Sequence, residues 1–362
     1  MPTVVYLCEY GTINGGENSM LSGLAPLESL GFKVAVACPS RTPLATRSAE
    51  HQVHHLPFDW TDGAGRRKPL EQLRSELSHT IPLWNADLVH ANSLSVSRIL
   101  GPVARPGKTR FVGHVRDIIR LSGQAVRDLS RLDQIFCVSR ATRQFHLAQG
   151  LTLENSCVLH NGVDLIRFAP PPNRPERSPV RLVYLGQLVM RKGLDVLLEA
   201  ARQVIDAGID ISLDIYGECH SEKDEAREYL DSLHRFVERA GLSQQICFRG
   251  RTNSPAEVLC EADVLVHPAR QEPWGRVLLE AAASGLPIVA TEVGGTVEMF
   301  PGGEAILVPP DDSAALGQAI STVAQSHDLR KTLGENARRR MHQFDITDFA
   351  GKLAALYQKV LP

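Results

Sequence analysis

One pattern occurs twice along this chain and limits its folds more than any other feature. Short β-branched runs alternate with longer stretches of helical period. The first set, "VVYLC", "KVAVAC", "DLVHAN", "TRFVGHV", "QIFCVS" and "CVLHN", lies before residue 169; the second, "VRLVYLG", "SLDIYG", "QICFRG", "DVLVHP", "PIVAT" and "AILVP", lies after residue 179. Such runs are apolar throughout instead of alternating with polar residues, as expected of parallel strands covered by helices on both faces. Between the sets stands "APPPNRPERSP" (169–179), whose prolines exclude helix and favour an extended connection. The sequence therefore predicts an α/β protein of two doubly wound domains, 1–168 and 180–344, joined by the linker 169–179. A final segment, 345–362, has helical period after a cap at Asp345 or Thr347, and its pattern suits docking on either domain. At 362 residues the chain exceeds one ordinary core and accommodates two.

Charge and cysteines narrow the function classes. The 39 Lys and Arg nearly balance the 41 Asp and Glu, so there is no overall basic field to draw in a nucleic acid. Seven cysteines, with no C-x-x-C pair, sit mostly inside apolar runs and read as free thiols of a reducing cytoplasm. The opening "MPTVVYLCEYG" has neither the basic nor the apolar region of a signal peptide, and no stretch reaches about 18 uninterrupted apolar residues. Two basic clusters, Arg66 to Lys68 and Arg338 to Arg340, read either as solvated faces or as a peripheral contact with the inner face of a membrane.

In open α/β sheets ligands bind beyond the carboxyl ends of the strands, so two such sheets would enclose a substrate-sized crevice. The most informative stretch is "RQEPWGRVLLEAAASGLPIVATEVGG" (270–295). A helix starting at Gly275 and Arg276 after Pro273 has almost no polar face, yet it carries Glu280. A buried carboxylate costs several kcal/mol unless something pairs with it. Either an internal cation does so, or the vicinal hydroxyls of a ribose, with the ligand's phosphates on the helix amides from Gly275 to Val277. Glu272, in the loop before this helix, is expected at the rim, where it would accept hydroxyls of a sugar or simply be solvated.

"GQLVMRKGLDVLLEA" carries Arg191 and Lys192 into Gly193 and a helix, which is either a diphosphate clamp or a solvated helix start. "NGGEN" (14–18) places two glycines at a strand-to-helix turn. "GHVRD" (113–117) puts His114, Arg116 and Asp117 at a strand end, and "NGVD" (161–164) reads as a capped turn. Ser-His-Asp spacing, a P-loop, D-x-D and clustered metal ligands are all missing from the sequence, so metal-assisted chemistry has no visible site.

With these residues in view, "EPWGRVLLE" (272–280) and the following "AAASGLPIVATEVGGTVEMF" resemble the E-x-F-G-x-x-x-x-E signature of glycosyltransferase family 4, retaining sugar transferases of the GT-B fold. "GGEN", "DLVHAN", "FCVSRAT", "LHNGVDLIRF", "YLGQLVMRKGLDVLLEA", "LDIYGE", "FRGR" and "EAILVPPDD" extend the resemblance over nearly the whole chain. It implies two Rossmann-like domains facing across a cleft, the first on the acceptor side and the second holding a nucleotide-diphosphate sugar, with the last helix crossing back to the first domain.

By the same resemblance, Glu280 holds the donor ribose, Glu272 the hydroxyls of the transferred sugar, and Lys192 the diphosphate leaving group. Gly15 and Gly16 lie against the donor near the acceptor, and Gly294 and Gly295 line the donor pocket. The family's usual Arg after the glycine matching Gly186 is Gln187 here, so either Arg191 supplies the second cation or leaving-group stabilisation is weaker. In place of the family's His-Asp pair stands Arg116-Asp117, with His114 two residues earlier; both His114 and Arg116 are candidates for the residue beside the reacting sugar.

The implied reaction is hexosyl transfer to an acceptor hydroxyl, with retained anomeric configuration and without metal or other cofactor, in glycan or glycoconjugate biosynthesis. A glycan, a lipid-linked acceptor and a small molecule all fit. A nucleotide-sugar epimerase or phosphorylase of the same fold, and a non-catalytic nucleotide-sugar binder, are the alternatives.

Overall fold

The computed structural model describes residues 1–219 and 223–362. The chain divides into two compact units, Met1–Gly162 with Ile346–Pro362, and Val163–Asp345. The first is built on seven strands, β1 (Thr3–Leu7), β2 (Lys33–Cys38), β3 (His54–Pro57), β4 (Leu88–Ala91), β5 (Arg110–Val115), β6 (Gln134–Cys137) and β7 (Ser156–Val158). Their order is β3-β2-β1-β4-β5-β6-β7, and the pairings are parallel. The second has six, β8 (Val180–Leu185), β9 (Ile211–Tyr216), β10 (Ile246–Gly250), β11 (Val264–His267), β12 (Ile288–Thr291) and β13 (Ile306–Val308). These run parallel in the order β10-β9-β8-β11-β12-β13. Both sheets are thus doubly wound, and this α/β arrangement is that of the GT-B fold.

The strand order reverses between β1 and β4 in one unit and between β8 and β11 in the other. At such a reversal the two connections leave in opposite directions and open a crevice beyond the carboxyl ends. The helices that cover the sheets follow their apolar period. Leu194–Asp206, for example, buries Leu194, Leu197, Leu198, Ala201 and Val204 against the second sheet. The expected strands are all present. β3 has no counterpart among them because its sequence, "HHLP", is an edge strand with no continuous apolar run.

The chain passes from one unit to the other at Gly162, six residues ahead of the expected boundary at 168. The Val163 amide donates to Phe344 O (2.8 Å), and the Arg338 guanidinium donates to the carbonyls of Leu165 (3.1 Å) and Phe168 (3.4 Å), which binds 163–168 to the second unit. Nor is 169–179 a free linker. Its Arg174 donates to the carbonyls of Leu259 (3.2 Å), Ala262 and Ser284 (3.1 Å), fastening the proline segment to that same unit.

The final helix, Ile346–Val360, packs in the first unit through Phe349, Leu353 and Tyr357. The Tyr357 hydroxyl donates to Tyr6 Oη (3.0 Å) and meets His90 Nδ1, all three residues being buried. The two basic clusters are largely spent on internal partners. Arg66, Arg67 and Lys68 pair with Asp62, Glu9 and Glu76. Arg338 and Arg340 donate to backbone carbonyls. Among the described residues, no helix is long and apolar enough to cross a membrane.

Replacing Tyr357 with Phe strips His90 and Tyr6 of a buried partner and is expected to cost about 1–3 kcal/mol of stability. Urea denaturation measures this directly. A change below about 0.5 kcal/mol, half the usual worth of one hydrogen bond, would show that the hydroxyl does not hold the helix.

Candidate active site

The loops that follow β8 and β11 meet at the reversal of the second sheet. After β8 the chain runs through Gly186 and Gln187 into a single 3-10 turn, Met190–Lys192, and then the helix from Leu194. After β11 it runs through Glu272 and Gly275 into the helix Arg276–Ala283. Gly193 joins the first loop to its helix at φ +66°, and a Cβ there would stand 2.0 Å from Pro268 O. Only glycine fits both the left-handed backbone and that approach. Gly275, at φ +76°, makes the corresponding turn before the second helix. The loops are tied directly, since Arg191 O accepts from the amides of Arg270 (2.9 Å) and Gln271 (3.3 Å). Arg270 itself donates to Met190 O (2.7 Å) and to both oxygens of Asp195.

Glu272 is not at the rim. It is 5% exposed, and its Oε2 accepts from Lys192 Nζ and from His267 Nε2 at 2.8 Å. Burial alone would raise this carboxyl's pKa, but the Lys192 charge and the His267 hydrogen bond outweigh it and hold the group well below the usual carboxylate range. His267 is also pushed downward, by burial first and by the Lys192 charge against the opposing pull of Glu272. The centre is accordingly an anion held by one cation and one neutral imidazole. Only Oε2 is used; Oε1 takes no donor among the described residues.

Glu280 has a partner as well. Its Oε1 accepts from Arg276 Nε at 2.6 Å, one turn earlier on the same helix. Burial therefore does not by itself demand a ligand here: of the two partners open from the sequence, an internal cation is present. As with Glu272, one oxygen is engaged and the other, Oε2, remains for a further donor. Val277 follows Arg276 in the first helical turn. The third loop of this end, after β12, brings Gly294 and Gly295 beside the Glu272 segment through the Gly295 amide, which donates to Glu272 O at 2.9 Å. Gln187 Oε1 accepts from exposed Arg191 (3.1 Å), so the residue at the family's arginine position is linked to the neighbouring cation.

In the first unit, Arg116 gathers the strand ends. It donates to Asn161 Oδ1 (2.6 Å), Asn92 Oδ1 (3.2 Å), Asn92 O (3.3 Å) and His114 Nδ1 (3.1 Å). Burial lowers its pKa to about 10, and it stays cationic at neutral pH. Gly16 lies against it, with an added Cβ falling 3.4 Å from Arg116 Cδ, while Gly15 opens the helix with free space around it. His114 is 1% exposed, stacked on His90 at 5.6 Å and edge-on to Phe136. Burial first, then the Arg116 charge, drives its pKa well below the ordinary value. It is a neutral acceptor beneath Arg116, not a residue reaching the strand-end surface.

Residues 167–340 match the family model for glycosyl transferases group 1, and residues 13–167 match that for glycosyltransferase family 4. The chain belongs to the family 4 type of glycosyltransferase. It is 26% identical to glycogen synthase of Mycobacterium tuberculosis across 91% of this chain and 87% of the relative. To the lipopolysaccharide core biosynthesis mannosyltransferase LpsB of Rhizobium meliloti it is 25% identical over 96% and 94%. The Anabaena HepE structure in complex with UDP-glucose superposes with a TM-score of 0.85 at 20% identity, covering 99% of both chains.

In this glycosyltransferase the sequence assigned no site role to several residues found there. His267, Asn92 and Asn161 each follow or end an apolar strand run, in "DVLVHP", "DLVHAN" and "CVLHN", and Asn161 also opens the turn "NGVD". Nothing in the sequence signals the Arg270–Asp195 brace.

Glu272 has a depressed native pKa, so its contribution to stability is present above the unfolded value, about 4.3, and is lost on acidification below it. Lys192→Met should remove roughly 3 kcal/mol at neutral pH by leaving that carboxylate without its cation. It should also raise the pKa of His267, which becomes the only counter-charge; NMR titration of labelled histidines reads this. An unchanged His267 would mean that the three groups are not electrostatically linked.

Proposed function

We propose that this glycosyltransferase moves a hexosyl group from a nucleoside diphosphate sugar to an acceptor hydroxyl, with retention at the anomeric carbon and without a metal. The observation that carries the reading is the Lys192–Glu272–His267 cluster at the β8/β11 reversal, with one oxygen each of Glu272 and Glu280 left for donors. A ribose hydroxyl donates to Glu280 Oε2 and a hydroxyl of the transferred sugar to Glu272 Oε1. Lys192, with donors beyond the one given to Glu272, meets the diphosphate as negative charge develops on it, and Arg191 adds a second cation from the loop edge. A fixed cation in a dry site is worth several kcal/mol at this step. That HepE was solved with UDP-glucose supports a UDP-hexose as the first donor to test.

Retention follows if acceptor and leaving group use the same face. The C1–O bond to the diphosphate breaks, the acceptor oxygen bonds to C1, and the acceptor proton passes to a phosphate oxygen. The acceptor is taken by the first unit, where Arg116 and Gly16 stand at the strand ends. A glycan or a small polyol suits this face, and the similarity to a glycogen synthase and a lipopolysaccharide mannosyltransferase favours a glycan. That no disulfide joins the cysteines of the described residues suits a cytoplasmic protein.

Turnover with a panel of nucleotide sugars, followed by proton NMR of the product anomer, tests the reading. An α-linked product from an α-linked donor, formed equally in excess EDTA, is expected; inversion, or loss of turnover in EDTA, would refute retention or metal independence. Lys192→Ala should lower kcat about 10³-fold, in the range seen for removal of one stabiliser of developing charge. Glu280→Ala should instead weaken donor binding by about tenfold or more, a loss of one charged hydrogen bond.

A further inference from the structure

The second unit has another concavity at the opposite end of its sheet. Asp263 precedes β11, and Gly285 and Pro287 precede β12, so this site lies at the amino ends of strands whose carboxyl ends lead to His267 and the Gly294 loop. Its volume is 390 Å³, within the range of small-molecule sites. One wall consists of Pro170, Pro171, Pro172, Pro175 and Pro287. Prolines present apolar surface, offer no N–H and have fixed φ, so the wall is rigid and cannot solvate a polar ligand on that side. The ties from Arg174 to the carbonyls of Leu259, Ala262 and Ser284 hold it in place.

The facing side is cationic. Arg330 is 8% exposed, and its Nη1 donates to Val323 O (2.9 Å) and Ala324 O (2.7 Å). Its Nε and Nη2 hold no acceptor among the described residues. His327 opens the fifteen-residue helix His327–Met341, capped by Ser326, and Lys331 lies one turn along it. Among the lining residues four Arg or Lys stand against two acids. One of those acids, Asp263, already accepts from the Arg181 amide (2.9 Å).

We propose that this cavity binds a small phosphorylated sugar, with the phosphate on Arg330, Lys331 and the amino end of the His327 helix and the carbon face of the sugar on the proline wall. A phosphate matches the open guanidinium edge and the helix amides together. The site shares no residue with the donor-binding set and does not depend on the reaction assigned to it.

Calorimetric titration of the full chain with mannose 6-phosphate, inorganic phosphate and mannose tests the proposal. Mannose 6-phosphate should bind and raise Tm, phosphate should bind more weakly, and mannose should not bind. The double variant Lys331→Glu/His327→Ala, changed at residues whose side chains make no hydrogen bond or ion pair among the described residues, should weaken mannose 6-phosphate at least about tenfold. Glu280→Ala should leave it unchanged. Arg330→Ala would also remove the two carbonyl ties, so the surface pair is the decisive variant. Absence of binding at millimolar concentration, binding indifferent to the Lys331→Glu/His327→Ala change, or binding lost in Glu280→Ala would overturn the site. Phosphate binding as tightly as the sugar phosphate would overturn its assignment to a sugar.

Discussion

Taking the Glu272 carboxylate out of water sets the terms for the whole donor-side end of the second unit. A buried anion requires a cation and hydrogen-bond donors, and here both come from outside the loop that carries it. Lys192 comes from the loop after β8 and His267 from the end of β11, so the charge pairing also sets the spacing of the two loops at the sheet reversal. The backbone bonds from Arg270 and Gln271 to Arg191 and the Arg270–Asp195 pair reinforce the same junction. Gly193 lets the backbones come close enough for it to form. What results is a preorganised, charge-balanced centre in which Lys192 and one oxygen of Glu272 can still engage a ligand that brings both negative charge and hydroxyl groups.

The first unit solves a related problem with a cation at the centre. Arg116 is held by neutral partners, the amide oxygens of Asn92 and Asn161 and the imidazole of His114, and no acid neutralises it within this set. Its positive charge stands at the strand ends with Glu17 and Asp117 acting on it only through space, while the histidine that resembles a catalytic candidate serves as an acceptor underneath. The terminal helix contributes to the same region from below through Tyr357, which meets His90, itself stacked on His114. A segment at the far end of the chain thus belongs to the packing that supports the Arg116 site.

Glu280 shows how far residue physics reaches without coordinates. An acid on an otherwise apolar helix needs a partner, and that inference holds. Which partner is a matter of side-chain geometry. Arg276 lies at i−4, the spacing at which helix side chains meet, and its guanidinium takes one oxygen. The ligand argument consequently rests on the second oxygen and on the neighbouring Lys192–Glu272 centre, not on solitude.

The succession of apolar runs and helical periods determined the class of each sheet, because strands covered on both faces leave no choice of polarity along their length. The motif around Glu272 and Glu280 likewise marked the candidate site, and the resemblance it carries identified the glycosyltransferase class. Edge strand β3 escaped notice since partial exposure removes that apolar signal, and the proline stretch read as a linker because its anchor, Arg174, acts on carbonyls more than eighty residues away. Tertiary structure alone decided that Glu272 is buried, that His267 joins it, that Arg116 and not His114 reaches the strand ends, and that Arg270 braces the loops. The Lys192–Glu272 pair and the Arg270–Asp195 brace join segments 80 and 75 residues apart, and a hydrogen bond across such a distance leaves no periodicity in the chain that forms it; His267 and His114 meet near neighbours, and there it is the folded strand ends that set which way each side chain turns.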